Sequence, residues 1–138
     1  IEKISNYNQR IVVTNLDALD FLDALNFMDN MGKVDKNKIL LYLDPPYYIK
    51  GQGLYRNFYE HDDHVLVMKK LTEINFPNWL VSYDNAKEIK DLYNGFPQVE
   101  YSLQDTAQLK KSGEEVMIFS PEIIIPNTLK GVSMPTCA

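Results

Sequence analysis

The stretch Ile39–Tyr47 constrains the fold more than any other part of the chain. It reads ILLYLDPPY, so five apolar or aromatic residues lead directly into an acid, two prolines and a tyrosine. A short, dense apolar run of this kind predicts a strand that is buried on both faces. Pro45 ends the strand because it has no N–H for a sheet ladder, and Pro46 keeps Pro45 extended. We therefore expect a stiff turn at the carboxyl end of a central strand, where open α/β sheets bind ligands.

The residue types of this turn suit chemistry on the exocyclic amine of a nucleobase. Such an amine is a weak nucleophile because its lone pair is delocalised into the ring. The Asp44 carboxylate and the Pro45 carbonyl could accept its two N–H bonds and favour a pyramidal nitrogen. Tyr47 could stack on the base, which is worth about 1–3 kcal/mol, once the base has left the double helix. The alternative interpretation is an ordinary strand followed by a proline turn.

Predicted strands and helices alternate along the rest of the chain, which indicates an α/β fold with a parallel sheet. A strand at Arg10–Thr14 precedes a helix capped by Asp17, and a second helix is capped by Asp62 or Asp63. The later predicted elements are a strand at Trp79–Tyr83, a short helix opened by Asp84 and Asn85, a hairpin of Val99–Leu109 and Glu115–Ser120, and a last short strand at Ile123–Ile125.

Composition narrows the class of protein. The 138 residues suffice for one domain, and no apolar run approaches the roughly 20 residues that span a bilayer. One cysteine, Cys137, excludes an internal disulfide framework and a multi-cysteine metal site, so we expect no metal and a reducing cytoplasm. The net charge of −5 counts against a broadly basic nucleic-acid surface. However, residues 48–59 contain Lys50 and Arg56 and no acid.

Several motifs together resemble one enzyme family. Asp44–Tyr55, with the sequence DPPYYIKGQGLY, resembles the catalytic motif and following loop of the Dam-related DNA adenine-N6 methyltransferases. Asp63-His64, Val81–Asp84 and Ser112–Ile118 fit the same family, and Val13–Asp17 is similar to its strand end that borders the cofactor adenine. The resemblance covers residues 10–121, which is most of the chain.

The resemblance implies a Rossmann-like, S-adenosylmethionine-dependent methyltransferase fold with a mostly parallel sheet and a terminal β-hairpin. It implies methyl transfer from S-adenosylmethionine to adenine N6 in double-stranded DNA. The catalytic residues would be Asp44, Pro45, Pro46 and Tyr47, and the cofactor contacts would be Asn15, Asp17 and Asp44. The resemblance also implies a bacterial or phage-type cytoplasmic protein of the restriction-modification kind.

The same resemblance implies a DNA-facing loop and a phosphate contact. The loop residues would be Tyr48, Lys50, Tyr55 and Arg56, and the phosphate contacts Lys110 and Lys111. Each lysine and arginine could instead be a solvated charge, and Asp17 could be only a helix cap. Glu114 or Glu115 could be an ordinary hairpin acid or could orient the catalytic loop.

The chain also departs from the family pattern. No glycine-containing cofactor motif follows the first strand, since the six glycines are Gly32, Gly51, Gly53, Gly95, Gly113 and Gly131. The acid expected to bind the ribose hydroxyls and a target-recognition segment are also missing. We therefore expect residues 1–138 to form the carboxyl-terminal portion of a catalytic domain, incomplete at the amino end, that binds cofactor poorly alone.

In the family's sheet, two further strands separate Arg10–Thr14 from Ile39–Leu43, and without them both strands have open edges. We expect a second chain or copy to complete the sheet, or the two strands to pair directly, or the chain to be a piece of a longer protein. The leading functional hypothesis is a DNA adenine-N6 methyltransferase that is active only with its other half. The alternatives are a non-catalytic fragment or accessory subunit, and an amino-methyltransferase that acts on RNA or protein. An acid at position 44, instead of asparagine, favours DNA adenine.

Overall fold

The computed structural model describes residues 10–49, 59–103 and 113–126. In this part of the chain the elements are α1 (Ala18–Asn30), a 3-10 turn (Lys36–Lys38), β1 (Leu41–Leu43), α2 (His61–Glu73), β2 (Trp79–Asp84), α3 (Lys87–Leu92), β3 (Gln98–Leu103) and β4 (Gly113–Phe119). Among these elements, no helix has the length and apolar character that a membrane crossing requires.

The four strands form one sheet in the order β1-β2-β4-β3. β1 pairs with β2 in parallel, with Leu43 opposite Val81. β4 lies antiparallel between β2 and β3, with Val116 opposite both Tyr83 and Glu100. The fold is therefore mixed α/β, and the predicted antiparallel pairing of the last two strands is confirmed.

The prediction of a mostly parallel sheet is wrong for the described strands, because one of their three pairings is parallel and two are antiparallel. The expected strand at Arg10–Thr14 does not form. Val12 and Val13 are each 88% exposed, so this segment finds no partner among the described strands, neither β1 nor any other. Ile123–Ile125 is not a strand either, because the chain turns there, with the Ile123 N–H donating to the Ser120 carbonyl at 3.2 Å.

The strand before the prolines is shorter and less buried than predicted. β1 begins at Leu41, and Leu40 and Tyr42 are exposed while Leu41 is buried. The alternation follows from the position of β1 at the edge of the described sheet, where one face packs on the core and the other does not. The strand that is buried on both faces is β2, where Val81, Ser82, Tyr83 and Asp84 are all buried in succession.

Side-chain caps set the starts of the first two helices. The Asp17 carboxylate accepts the Leu19 N–H at 2.9 Å, which confirms Asp17 as the cap of α1. The predicted caps of α2, Asp62 and Asp63, are wrong because Glu60 is the cap. Asp63 completes a capping box with it by accepting the Glu60 N–H at 2.8 Å.

The third helix also begins later than predicted. Asp84 is the last residue of β2, and α3 opens at Lys87 after Ala86. The turn that follows α3 contains Gly95, whose φ of +105° lies in the left-handed region that favours glycine.

The core lies where β2 and β4 meet the helices. Its fully buried members are Leu22, Val67, Leu71, Val81, Tyr83, Ile89, Tyr93, Val116 and Ile118. α1 packs beside α2, and a Lys70–Asp23 ion pair of 2.9 Å joins their surfaces. This core fixes β2, and β2 in turn positions the segment that follows β1.

Candidate active site

Two carboxylates lie at the carboxyl ends of the two parallel strands. Asp44 directly follows β1 and is exposed, whereas Asp84 ends β2 and is 2% exposed. Because parallel strands end at the same edge of a sheet, both acids belong to the edge where α/β proteins bind ligands.

Asp44 receives a hydrogen bond from the central strand. Ser82 Oγ donates to Asp44 Oδ1 at 2.7 Å, and the Tyr42 hydroxyl lies 3.0 Å from the same Ser82 Oγ. Ser82 is buried, so the bond to Asp44 Oδ1 links the exposed carboxylate to the interior of the sheet.

Asp84 holds the backbone that follows the proline turn. Its Oδ1 accepts the Tyr48 N–H and its Oδ2 accepts the Ile49 N–H, both at 2.8 Å. Hydrogen bonds to an ionised carboxylate are stronger than neutral ones. The end of β2 therefore fixes the course of the chain directly after Tyr47.

Tyr47 is held through its hydroxyl by the last strand. Tyr47 donates to Glu115 Oε1 at 2.9 Å, and Tyr101 donates to Glu115 Oε2 at 2.6 Å. Burial, followed by the Glu115 carboxylate, raises the pKa of both phenols well above their ordinary value, so both remain protonated donors. Glu115, one of the two hairpin acids, thus contacts Tyr47, in agreement with the sequence-based alternative that such an acid orients this loop.

The ring of Tyr48 packs against two histidines at the start of α2. Its centroid lies 5.9 Å from that of His61 and 5.3 Å from that of His64, and its hydroxyl is 3.2 Å from His61 Nδ1. His64 is fully buried, with Nδ1 at 3.1 Å from the Tyr83 hydroxyl. Burial lowers the pKa of His64. DNA contact by Tyr48 stays a prediction.

A pocket of about 410 Å³ opens beside Asp44. Its walls are Thr14, Leu16, Ala18, Phe21, Leu22, Leu41, Tyr42, Leu43, Asp44, Pro45, Pro46, Tyr59 and Val67. Asp44 is among the lining residues, but Asn15 and Asp17 are not. The Asp17 carboxylate instead caps α1, which is the alternative that the sequence left open. The remaining predicted DNA contacts, Lys50, Tyr55, Arg56, Lys110 and Lys111, lie outside the described residues.

Sequence reasoning placed none of Ser82, Tyr42 and Asp84 in the site, and it assigned Asp84 only to the start of a helix. A signal for Asp84 was present, since an acid at the end of the next predicted strand must share an edge with Asp44. The role of Ser82 depends on the register of β1 against β2, which no local pattern encodes.

A model of the D12 class N6 adenine-specific DNA methyltransferase family matches residues 2–108. The chain belongs to this family. The match spans Asp44–Tyr47 and continues through β3, and it confirms the sequence-based resemblance. The family's activity is methylation of adenine in DNA. No match was found among curated proteins.

Proposed function

We propose that this methyltransferase transfers a methyl group from S-adenosylmethionine to N6 of an adenine in double-stranded DNA, with Asp44, Pro45, Pro46 and Tyr47 around the reacting amine. The observation that carries the proposal is the state of Asp44. One of its oxygens is held by a buried serine, while the exposed carboxylate borders a pocket.

Two acceptors are available to the amine. Among the described residues, Asp44 Oδ1 bonds to Ser82, and neither Asp44 Oδ2 nor the Pro45 carbonyl has a hydrogen-bond partner. Oδ2 would accept one N–H and take up its proton as the new N–C bond forms and the bond from the methyl group to sulfur breaks. The Pro45 carbonyl would accept the other N–H. With both N–H bonds held out of the ring plane, the nitrogen lone pair is available for attack. Placement of the amine in this geometry supplies the positional part of catalysis.

Tyr47 stacks on the flipped adenine. Glu115 holds the phenol through its hydroxyl, at the edge of the ring, and the base would contact the ring face. Stacking of this kind is worth about 1–3 kcal/mol per base. It would offset part of the cost of taking the adenine out of the duplex.

The pocket fits the adenosyl part of the cofactor. Its volume falls within the range of about 300–1,000 Å³ that is usual for small-molecule sites. Leu16, Phe21 and Leu41 give it apolar walls, and Asp44 and Pro46 border it. When bound, S-adenosylmethionine supplies the methyl group as an electrophile activated by the sulfonium. The residues of this chain would hold its adenosyl group and orient the amine.

The described residues of the pocket offer few polar partners to the ribose and the amino-acid part of the cofactor. Among the described residues that line the pocket, Asp44 is the only acid and none is a lysine or an arginine. The ribose hydroxyls and the charged amino-acid group therefore have few partners among the described residues. We accordingly expect weak cofactor binding by these 138 residues, with the remaining contacts supplied by further protein, such as a second chain or copy.

The test uses S-adenosylmethionine with a labelled methyl group, adenine-containing duplex DNA and the full-length protein. We expect N6-methyladenine in the hydrolysed DNA, and no product from Asp44→Ala, with an unchanged circular dichroism spectrum. Asp35→Ala, an exposed acid outside the pocket, is the matched control and should retain turnover. Turnover by Asp44→Ala would refute the proposed mechanism, and label in RNA or protein instead of DNA would refute the substrate.

Calorimetric titration of S-adenosylmethionine into the 138-residue chain tests the cofactor site separately. We expect weak binding or none. Tight, saturable binding would contradict the expectation that the ribose and amino-acid contacts come from elsewhere.

A further inference from the structure

A directed chain of hydrogen bonds ends on Asp44. The Ser82 hydroxyl has one proton, and this proton points at Asp44 Oδ1. An ionised carboxylate can accept hydrogen bonds but cannot donate them, so the proton of this bond comes from Ser82. The Tyr42 hydroxyl must therefore be the donor in its 3.0 Å contact with Ser82 Oγ. The order is Tyr42 O–H to Ser82 O–H to Asp44 Oδ1, and hydrogen bonds arranged in series strengthen one another.

The sheet register places these groups together. Leu43 pairs with Val81 in parallel, so the next residues on the two strands, Asp44 and Ser82, lie side by side. The ladder to β1 ends there, while Ser82 continues in the sheet and pairs with Met117 of β4. Ser82 is 2% exposed and cannot readily move, whereas Asp44 is exposed and needs an external constraint.

We propose that Ser82 and Tyr42 are positioning residues for methyl transfer, and this inference rests on the proposed function. The Ser82 bond occupies Oδ1 and fixes the rotation of the carboxylate, so that Oδ2 presents its lone pairs to the adenine amine. Tyr42 acts through Ser82 by holding the serine proton on Asp44. Without Ser82 the carboxylate rotates freely, and the fraction of time in the productive orientation falls.

Single-turnover methyl transfer by the full-length protein tests the inference. Ser82→Ala should slow the transfer step by about 10- to 100-fold, because it removes a hydrogen bond to a charged group. Tyr42→Phe should slow it by about 2- to 5-fold, because it removes one neutral hydrogen bond to Ser82 and none to Asp44 itself. The affinities of Ser82→Ala for DNA and S-adenosylmethionine should change by less than about 2-fold, since Ser82 does not line the pocket. Tyr42 does line the pocket, so Tyr42→Phe is compared on the rate of the transfer step alone.

The double variant Tyr42→Phe/Ser82→Ala separates positioning from general damage. If Tyr42 acts through Ser82, the double variant is no slower than Ser82→Ala alone. The matched control is Ser120→Ala, another fully buried serine, whose Oγ donates to the Pro77 carbonyl at 2.7 Å. It should lower thermal stability and leave the transfer rate unchanged. Equal rates for Ser82→Ala and the wild type, or multiplied losses in the double variant, would overturn the inference.

A crystal structure of the Ser82→Ala variant gives a measurement that does not depend on activity. The inference requires the Asp44 carboxylate to rotate or to occupy more than one conformer, and a carboxylate in its original orientation would overturn it. Should Ser82→Ala fail to fold, the same comparison is made with Tyr42→Phe, whose side chain is 58% exposed and keeps its ring. Failure of the proposed function is a distinct result, in which the wild type itself makes no N6-methyladenine.

Discussion

Two irregular segments border the candidate pocket, and they are held very differently. Asp44–Ile49 is tied to the sheet through Ser82, Asp84 and Glu115, at distances between 2.7 and 2.9 Å. Residues 11–16 also line the pocket, through Thr14 and Leu16, but Val12 and Val13 face outward. The apolar sequence of the second segment does not secure it. Polar side chains from strands β2 and β4 secure the first.

The difference shows that side-chain hydrogen bonds can fix the position of a loop as firmly as backbone pairing fixes a strand. A charge-assisted hydrogen bond contributes about 1.5–3 kcal/mol, and the segment after Asp44 receives several of them from residues that the sheet itself immobilises. Within the part of the chain that the structure describes, residues 11–16 have no comparable bonds before Asp17 caps α1. We therefore expect the segment Asp44–Tyr47 to be preorganised. Substitutions that remove its hydrogen-bond partners should lower the free energy of unfolding far more than substitutions of Val12 or Val13.

The largest effect is expected from Asp84→Ala. The change removes both acceptors of the Tyr48 and Ile49 N–H groups and should lower the free energy of unfolding by about 2–4 kcal/mol. Asp84→Asn keeps one acceptor and should fall between the wild type and Asp84→Ala. Urea denaturation measures all three.

Asp29→Ala is the matched control for Asp84, since Asp29 Oδ1 also accepts a backbone N–H, from Lys36 at 3.0 Å, but lies outside the pocket lining. It should cost about 1 kcal/mol and leave methyl transfer unaffected. Similar losses of unfolding free energy in Asp29→Ala and Asp84→Ala would mean that the two bonds of Asp84 stabilise the fold no more than the single bond of Asp29.

The next effect concerns the ring and the hydroxyl of Tyr47. Tyr47→Ala removes the proposed stacking face and should slow methyl transfer by about 10- to 100-fold. Tyr47→Phe keeps the face and loses the bond to Glu115, so a loss of only about 2- to 5-fold is expected. Rates are compared under single-turnover conditions, with Tyr101→Phe as the variant that removes the other bond to Glu115. Equal losses from Tyr47→Phe and Tyr47→Ala would argue against stacking.

Sequence reasoning singled out the segment Asp44–Tyr47 but did not identify the residues that hold it in place. The acid-proline-proline-tyrosine run, the hairpin and the Asp17 cap follow from local residue chemistry, and the structure bears out the last two. The sheet direction and the burial of β1 were predicted wrongly, because both depend on which strands become neighbours. Ser82 and Asp84 become anchors only when β2 lies beside β1, a long-range pairing that no window of the sequence contains.

The third prediction concerns the pH dependence of stability and the buried His64, which packs against Tyr48. His64 is fully buried among the rings of Tyr48, Tyr59 and Tyr83, and burial lowers its pKa. His61 lowers it further, while Asp63 and Asp84 oppose the shift. The folded state disfavours the protonated ring, so His64 contributes stability that is present above its ordinary pKa of 6.5 and is lost as the pH falls towards its folded-state pKa.

Urea denaturation between pH 7.5 and 5.5 tests this pH dependence. The free energy of unfolding of the wild type should decrease as the pH falls. For His64→Gln, the slope of this free energy against pH should be shallower, whatever the variant's absolute stability. His61→Gln removes the exposed neighbour that contributes to the lowered pKa of His64, so it should make the slope shallower by less than His64→Gln does. A His64→Gln slope equal to that of the wild type would show that the buried ring is not the source.

The smallest effect is expected in the exposed segment. Val12→Thr and Val13→Thr replace a methyl group by a hydroxyl in side chains that already face solvent, so each should change the free energy of unfolding by less than about 0.5 kcal/mol. Val81→Thr makes the same change at a fully buried position of β2 and should cost about 1–3 kcal/mol, because its hydroxyl lacks a partner. A cost above about 1 kcal/mol at Val12 or Val13 would mean that these side chains are covered in solution. The difference between the hydrogen-bonded segment Asp44–Ile49 and the exposed residues 11–16 would then hold for the isolated chain and not for the working protein.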